Sequence, residues 1–319
     1  MKLFRLVILM IVVAVIYTVT GFANQHEGIA TAILFGMVAS DTAMQTVKRG
    51  FKQYAAFELL TGFATAPGAA FTNIAGGDFT AGNTTIRNFE PGSSAWMINI
   101  WGKFQAAGIS KVISPRMHDN VQNIRHRIIL GQVYPLMSNG AAQPLQTQDT
   151  VNVQVQGSAN AGDIEIFHML NYYQNLPGSN ARLIDEKLLD SLIRNILTVE
   201  ISITAGTAGG WSGAAALNSS FDLLKANTSY AILGGRVSAI VGAVGIRGAD
   251  FGNLRLGFPG NAADGSVNSN FFVDLTRQYA IPMIPVFNSA NKAGILIDVT
   301  NDENALSPVV TLNLAELAG

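Results

Sequence analysis

The side chains that could bind a metal or act as general bases are few and scattered. The four histidines lie at His26, His118, His126 and His168. No two have the close helical spacing that would bring two imidazoles to one metal ion. His118, next to Asp119, and His126 come nearest to a site. Arginines flank His126 on both sides, and their positive charge disfavours a cation there. The sequence therefore predicts no metal site.

Other motifs that carry chemistry are equally weak. No Gly-x-Ser-x-Gly elbow occurs, so a hydrolase triad would have to come from unmarked loops. Glycines cluster at residues 206–210 and 234–235 without the Lys-Ser/Thr of a phosphate loop, which is typical of turns and strand bulges. Asp298, Asp302 and Glu303 are too few oxygen donors for calcium, and we interpret them as a solvated turn. We predict no catalytic residue, no metal and no cofactor.

Composition indicates a protein with much apolar material and little surface charge. Hydrophobic residues make up 49% of the 319 residues and charged residues 13%, against about 25% charged in typical soluble domains. The net charge is -1, and the 20 Lys and Arg residues form no block, so we expect no direct binding of nucleic acid. The chain contains no cysteine, which excludes disulfides, thiolate nucleophiles and Cys-ligated zinc.

The amino terminus is strongly apolar. Lys2 and Arg5 come first, and residues 6–23 carry no charge, close to the roughly 20 residues with which a helix crosses a bilayer. Residues 21–23 also have the small-x-small ending that a signal peptidase accepts. We expect an apolar helix at residues 1–23, for which two interpretations stand: a retained membrane helix or a cleaved signal.

Short apolar runs separated by turn residues recur from residue 79 onward. Residues 150–156 alternate valine with polar residues, as a half-solvated antiparallel strand does. Residues 162–173 alternate less cleanly, which predicts a strand buried on both faces. The predicted strands are residues 79–89, 94–101, 108–114, 124–130, 150–156, 162–173, 196–203, 230–237, 238–247, 254–256, 283–287, 293–300 and 308–317. Many short strands at regular spacing favour a mainly β fold with two tandem jelly-roll barrels and short helices.

Three further segments have helical patterns. Residues 28–63 favour a helix that either packs under the first β-domain or lies along a membrane surface. Residues 179–194 predict an amphipathic linking helix with Leu183, Leu188 and Leu192 inward, and residues 270–279 a short helix. The predicted organisation is an apolar helix (1–23), a helical arm and linker (24–77), a first jelly roll with its linking helix (78–194) and a second jelly roll (195–319).

Six short sequence segments between residues 90 and 319 together carry a resemblance to a known family. They are ISPRMHDNV (113–121), GDIE (162–165), TVE (198–200) with AGTAGG (205–210), ANTSYAILG (226–234), GADFGNL (248–254) and IPVFNSANK (284–292). Together they resemble the major capsid proteins of icosahedral, membrane-containing bacteriophages of the double jelly-roll type. The similarity is greatest to the lipid-containing single-stranded-DNA phages that infect flavobacteria.

The resemblance implies a non-enzymatic shell subunit located in the virion. It implies two jelly rolls side by side, a homotrimer with a pseudo-sixfold outline, contacts between neighbouring trimers, and a shell over an internal membrane. The apolar residues 1–23 are where this chain departs from the family, because capsid subunits assemble in the cytoplasm without secretion. If retained, this segment could enter the viral membrane; if cleaved, it would contradict a capsid role.

Two rival functions predict different sites. A membrane-anchored or secreted jelly-roll lectin or adhesin would expose a groove lined by Trp96, Trp101 or Trp211, whereas we expect these tryptophans in the core or in subunit contacts. A jelly-roll hydrolase or cupin-like oxygenase would bring the histidines after residue 100 together with carboxylates.

Overall fold

The computed structural model describes residues 55–89, 91–105, 108–114, 124–128, 134–135, 143–204, 206–217, 223–238, 241–260, 268–301 and 307–318. The chain divides into two compact units, Met1–Lys52 and Gln53–Gly319, and every described residue belongs to the second. The expected apolar helix at 1–23 and the expected arm up to residue 54 lie outside the described residues. Within the described ranges, no helix has the length and apolar character needed to span a bilayer.

The described part of the chain is mainly β. Its strands are β1 (Ala56–Thr65), β2 (Thr72–Asn73), β3 (Asn83–Thr85), β4 (Ala95–Lys103), β5 (Gly108–Ile113), β6 (Ile124–Ile128), β7 (Tyr134–Pro135), β8 (Gln143–Leu145), β9 (Thr150–Gln156), β10 (Ile164–Tyr173), β11 (Arg182–Ile184), β12 (Ile193–Ser202), β13 (Trp211–Ala216), β14 (Ser229–Val237), β15 (Ala243–Arg247), β16 (Arg255–Pro259), β17 (Ile284–Asn288), β18 (Leu296–Thr300) and β19 (Val309–Leu317). The α-helices are α1 (Glu186–Leu192) and α2 (Phe271–Tyr279), and 3-10 helices span Ala249–Phe251 and Ser289–Gly294.

These strands form four antiparallel sheets. Sheet 1 has the order β1-β10-β4-β7, with β8 also paired to β4, and sheet 2 has the order β2-β9-β5-β6, with β3 also paired to β9. Sheet 3 has the order β11-β17-β14-β19-β12, and sheet 4 has the order β13-β18-β15-β16. Sheets 1 and 2 take their strands from the first half of the described chain, and sheets 3 and 4 from the second.

The two halves repeat one strand order. We number the strands of each half in chain order, counting β2 and β3 as one position and leaving out the short β8 and β11. Both halves then read 1-8-3-6 in one sheet and 2-7-4-5 in the other. This order is consistent with the predicted jelly roll, whose eight strands form two Greek keys.

Each half has its own apolar core between its two sheets. In the first, Met97 and Phe167 of sheet 1 meet Val112 and Val153 of sheet 2. In the second, side chains of β14 and β19 meet those of β15, β16 and β18. The predicted strand at 150–156 is confirmed as β9, whose three valines are fully buried between partly or fully exposed polar neighbours.

β10 of sheet 1 is buried on both faces, which confirms the prediction for the strand at residues 162–173. Phe167 and Met169 of β10 belong to the first core, whereas Leu170 and Tyr172 belong to the cluster of the second half. β10 lies in the middle of sheet 1, hydrogen-bonded to β1 along one edge and β4 along the other. The face of sheet 1 turned away from sheet 2, called here the outer face, therefore packs against the second half.

The helix predicted for residues 28–63 is wrong over 56–63, which form most of β1. Ala, Glu and Leu in this segment favour a helix locally, and burial of both faces removes the alternation that marks a strand. Pairing along its whole length with β10 decides the conformation. The first sandwich therefore begins before residue 78, inside the segment assigned to the arm.

The linking helix is shorter than the predicted 179–194. Residues 182–184 pair with β17 as a strand, and α1 begins only after Asp185, whose side chain accepts a hydrogen bond from the Leu188 backbone N–H at 2.7 Å and caps the helix. Leu188, expected inward, is 45% exposed, and Leu189 is buried instead. The helix predicted at 270–279 is confirmed as α2.

Candidate functional site

Aromatic side chains fill the space between the two halves, called here the junction. Phe57 of β1 lies 5.7 Å from Phe272 of α2, and Trp101 of β4 lies 6.3 Å from Phe271 of the same helix, between ring centroids. Beside them, Gly257 of β16 comes so close to Leu59 of β1 that an added Cβ would lie 2.7 Å from the leucine methyl group. The outer face of sheet 1 thus packs against α2 and sheet 4.

The three tryptophans lie at or beside this junction. Trp101 is 0% exposed, and its indole N–H donates to the carbonyl of Gly242 at 3.1 Å. Trp96 is partly buried and stacks on Tyr172 with 5.8 Å between ring centroids. Trp211 is also partly buried and donates to Asp78 of the first half at 3.2 Å. The expected place in the core is confirmed for Trp101, and Trp96 and Trp211 are partly buried and pack against that core.

His168 lies at the centre of the junction and is fully buried. Its ring stacks on Trp101, with 5.4 Å between centroids and 13° between planes, and meets Trp211 edge-on at 6.4 Å. Its Nε2 lies 2.8 Å from Thr300 Oγ1, while Nδ1 makes no hydrogen bond of normal geometry to the described residues. Burial lowers the pKa of His168 to about 3, against a smaller opposing effect of the Trp101 backbone. The imidazole is therefore neutral at physiological pH.

Gly242 is the residue that allows this close packing. A Cβ at this position would lie 2.7 Å from His168 Cε1 and 2.8 Å from Thr300 Oγ1. The glycine also donates its N–H to the Thr300 carbonyl at 2.7 Å and accepts from Trp101. Sequence reasoning missed Gly242 and Thr300, since a glycine in an apolar run and a threonine at a strand end carry no signal that identifies their distant partners.

Asp298 corrects a second expectation. It lies within β18 and is 2% exposed, so it does not belong to a solvated turn. It forms ion pairs with Arg255 at 3.0 Å and Arg247 at 3.4 Å, and Arg255 stacks over Trp211 at 4.3 Å. Burial raises the pKa of Asp298, and the two arginines oppose that rise. Asp302 and Glu303 lie outside the described residues.

We expect Asp298→Asn to lower the free energy of unfolding by about 2 kcal/mol, because two arginines would lose their carboxylate. Equilibrium urea unfolding at pH 7 measures this loss. Asp274→Asn is the matched control, since Asp274 is exposed and meets Arg277 at 3.5 Å on the helix surface, where a pair contributes little. Equal losses in the two variants would contradict the structural role of Asp298.

Of the four histidines, His126 and His168 lie on described strands, and these strands belong to different sheets. His168 points from sheet 1 into the junction, whereas the strand that carries His126 belongs to sheet 2, across the first core. His26 and His118 lie outside the described residues. The contacts of His168 are two indoles, a hydroxyl and a glycine, which offer no carboxylate to orient or charge the imidazole. Among described residues no group of three His, Asp or Glu side chains could hold a metal ion.

The glycine clusters lie where turns and bulges require them. The register of β14 against β19 shifts between Ile232 and Gly234, so the bulge expected there is confirmed. Gly209 has a φ of 90°, in the region that favours glycine. The junction holds the two sandwiches together through an aromatic cluster, and Arg255 and Asp78 contact this cluster at Trp211.

Comparison with known proteins finds similar chains among solved structures. No family model matches the chain, and no curated protein matches its sequence. Among solved structures, the chain is similar to the major capsid protein P2 from bacteriophage PM2, with 7% identity over 83% of this chain and 98% of that one and a TM-score of 0.20. It is also similar to the PBSX exported protein XepA, with 10% identity over 79% of this chain and 88% of that one and a TM-score of 0.17. TM-scores this low carry no argument about fold or function.

Proposed function

We propose that the chain is a major capsid protein, a non-enzymatic subunit that assembles as trimers into the icosahedral shell of a bacteriophage. In this proposal the described residues form two jelly rolls in tandem, the trimer has a pseudo-hexagonal outline, and the shell encloses a membrane. Residues 1–23 would be retained and would contact that membrane. The six sequence segments at residues 113–292 resemble capsid proteins, and the fold supplies independent support for a capsid role.

The observation that carries the proposal is the repeated strand order. The two halves both have the strand orders 1-8-3-6 and 2-7-4-5. A single jelly roll occurs in lectins, cupins and capsid proteins and does not decide between them. Two of them in one chain let three chains present six similar units, which is the geometry that a pseudo-hexagonal trimer needs.

The junction supports the same role. A shell subunit must hold its two barrels at a fixed angle, because an error in that angle is repeated in every copy. Phe57, Trp101, His168 and Trp211 join the halves through close ring contacts between elements far apart in sequence. Such dense packing has few alternative arrangements, so the pair of barrels is expected to behave as one rigid block.

The lectin or adhesin alternative has less support. It requires a binding groove lined by the three tryptophans. Trp101 is instead fully buried, Trp96 stacks on Tyr172, and the Trp211 indole donates to Asp78. Stacking of a sugar ring needs an accessible aromatic face.

Mass measurement of the full-length chain, purified in mild detergent, tests the proposal. We expect a species of three chains, each of 33.8 kDa, that persists on dilution and forms hexagonal particles or larger shells by electron microscopy as concentration rises. A monomer that stays stable at high concentration and forms no particles would contradict it.

A further inference from the structure

β12 is a long strand at an open edge of sheet 3. Among the described strands it pairs with β19 and with no other, so one row of its backbone N–H and C=O groups has no strand partner there. The other edge strand of ten residues, β1, is buried along most of its length, whereas β12 exposes residues 194, 195, 196, 198, 200 and 202. An open edge of this length is a template for pairing with another strand.

The exposed side chains of β12 include an apolar one. Ile196 is 60% exposed, and Leu188 on the preceding helix α1 is 45% exposed. Ile196, Thr198 and Glu200 alternate with Val199 and Ile201, which are buried in the core, so they lie on the opposite face of β12.

The charges of β12 are self-complementary. Arg194 and Glu200 are both exposed, and neither forms an ion pair with another described residue. Each lies three positions from Leu197. The register of β12 against β19 shifts between Ile193 and Asn195, so Arg194 lies at a bulge on that side. If two β12 strands pair antiparallel along their other edges, centred on Leu197, Arg194 of each copy comes to lie opposite Glu200 of the other, and Ile196 opposite Thr198. A shift of the centre by one residue in either direction would move each charge to a diagonal position about 7–8 Å from its partner, so direct opposition of the charges favours this register.

We propose that β12 pairs with β12 of a second copy of this chain, antiparallel and centred on Leu197, to join two sheets across a two-fold axis. An isologous contact of this kind needs a surface that is complementary to itself, which the spacing of Arg194 and Glu200 supplies. Charges on an edge strand can also serve to prevent pairing, but that role does not require them to be equidistant from one residue. The inference rests on the proposed function only in that copies associate; it adds the surface by which neighbouring trimers meet.

Charge reversal tests the register. Arg194→Glu and Glu200→Arg each place like charges opposite one another twice in the symmetric contact, so either variant is expected to weaken association at least about tenfold. The double variant R194E/E200R restores opposite pairs and is expected to recover association. The control is Arg182→Glu, which makes the same charge change as Arg194→Glu at an exposed residue of β11, on the other edge of sheet 3. Sedimentation velocity of the full-length chain over a concentration series measures association, and thermal unfolding confirms that the variants are folded.

Cross-linking tests the axis independently, because the chain has no cysteine of its own. In Leu197→Cys the two thiols would lie on adjacent strands with Cα atoms about 5 Å apart, within reach of a disulfide. In Ser202→Cys, on the same strand, they would lie about 34 Å apart. Mild oxidation is expected to give covalent dimers of the first variant and not of the second.

The outcomes separate this inference from the proposed function. Rescue by the double variant, together with selective cross-linking at position 197, supports the β12 contact. Trimers that form normally while the single reversals leave association unchanged, or cross-links equally efficient at 197 and 202, overturn the contact and leave the capsid proposal intact. A chain that remains monomeric at all concentrations overturns both.

Discussion

Trp101→Ala is expected to cost about 3–5 kcal/mol of unfolding free energy, near the upper end for a single substitution. The indole is fully buried between His168 and Phe271, so its removal leaves a large cavity. It also removes one of the two hydrogen bonds to the Gly242 carbonyl, which keeps the one from the Gly260 backbone N–H. Because these contacts join the two halves, the loss should weaken the junction more than either core.

Urea unfolding at pH 7, followed by intrinsic fluorescence and by far-ultraviolet circular dichroism, measures this effect. Trp96→Ala on the same strand is the matched control, since Trp96 is only partly buried. We expect the control to lose clearly less, and we expect the Trp101 variant alone to show two separate transitions as the halves uncouple. Similar losses with a single transition in both variants would contradict a structural role for the junction.

Acid is expected to destabilise the protein through His168. The pKa of this side chain is about 3 in the folded protein and about 6.5 in an unfolded chain. Between these values the unfolded state binds the additional proton. The stabilising contribution of the neutral imidazole is therefore complete above pH 6.5 and decreases as the pH falls towards 3, by up to about 1.4 kcal/mol per pH unit.

His168→Gln provides the comparison, because glutamine is neutral at every pH and can still hydrogen-bond to Thr300. The variant is expected to be less stable at pH 7, owing to the lost stacking on Trp101, but to lose less additional stability between pH 6.5 and pH 4 than the natural chain. Unfolding free energies from urea titrations at half-unit pH steps give both slopes. If the two slopes agree, His168 is not the group that makes the folded state sensitive to acid.

Strands with one solvated face were the easiest part of the fold to predict. Residues 150–156 have strict alternation, and β9 has the predicted bounds. β1 was missed because its two faces both contact protein, Leu60 in the first core and Phe57 in the junction. Only the partner strand distinguishes such a segment from a helix, and a partner more than a hundred residues away leaves no local trace.

The junction shows the same limit at the level of side chains. The sequence indicated that Trp101 would be buried, but not that His168 would stack on it or that Gly242 would make room for both. From the sequence alone, His168 is a candidate only for a metal ligand or a general base, which are common roles of histidine. Its neutral state depends on three elements that meet only after the halves pack, and the position of Asp298 within a strand similarly depends on Arg255 from another strand.

Burial of sheet 1 on both faces means that the two halves are not interchangeable modules. A first half cut away after residue 173 would present Phe57, Trp101 and Tyr172 to water, an aromatic area that favours aggregation. If one half were replaced by a barrel from another protein, that barrel would need a surface complementary to these aromatic rings. The duplicated strand order can therefore persist only while both halves change together along the surface they share.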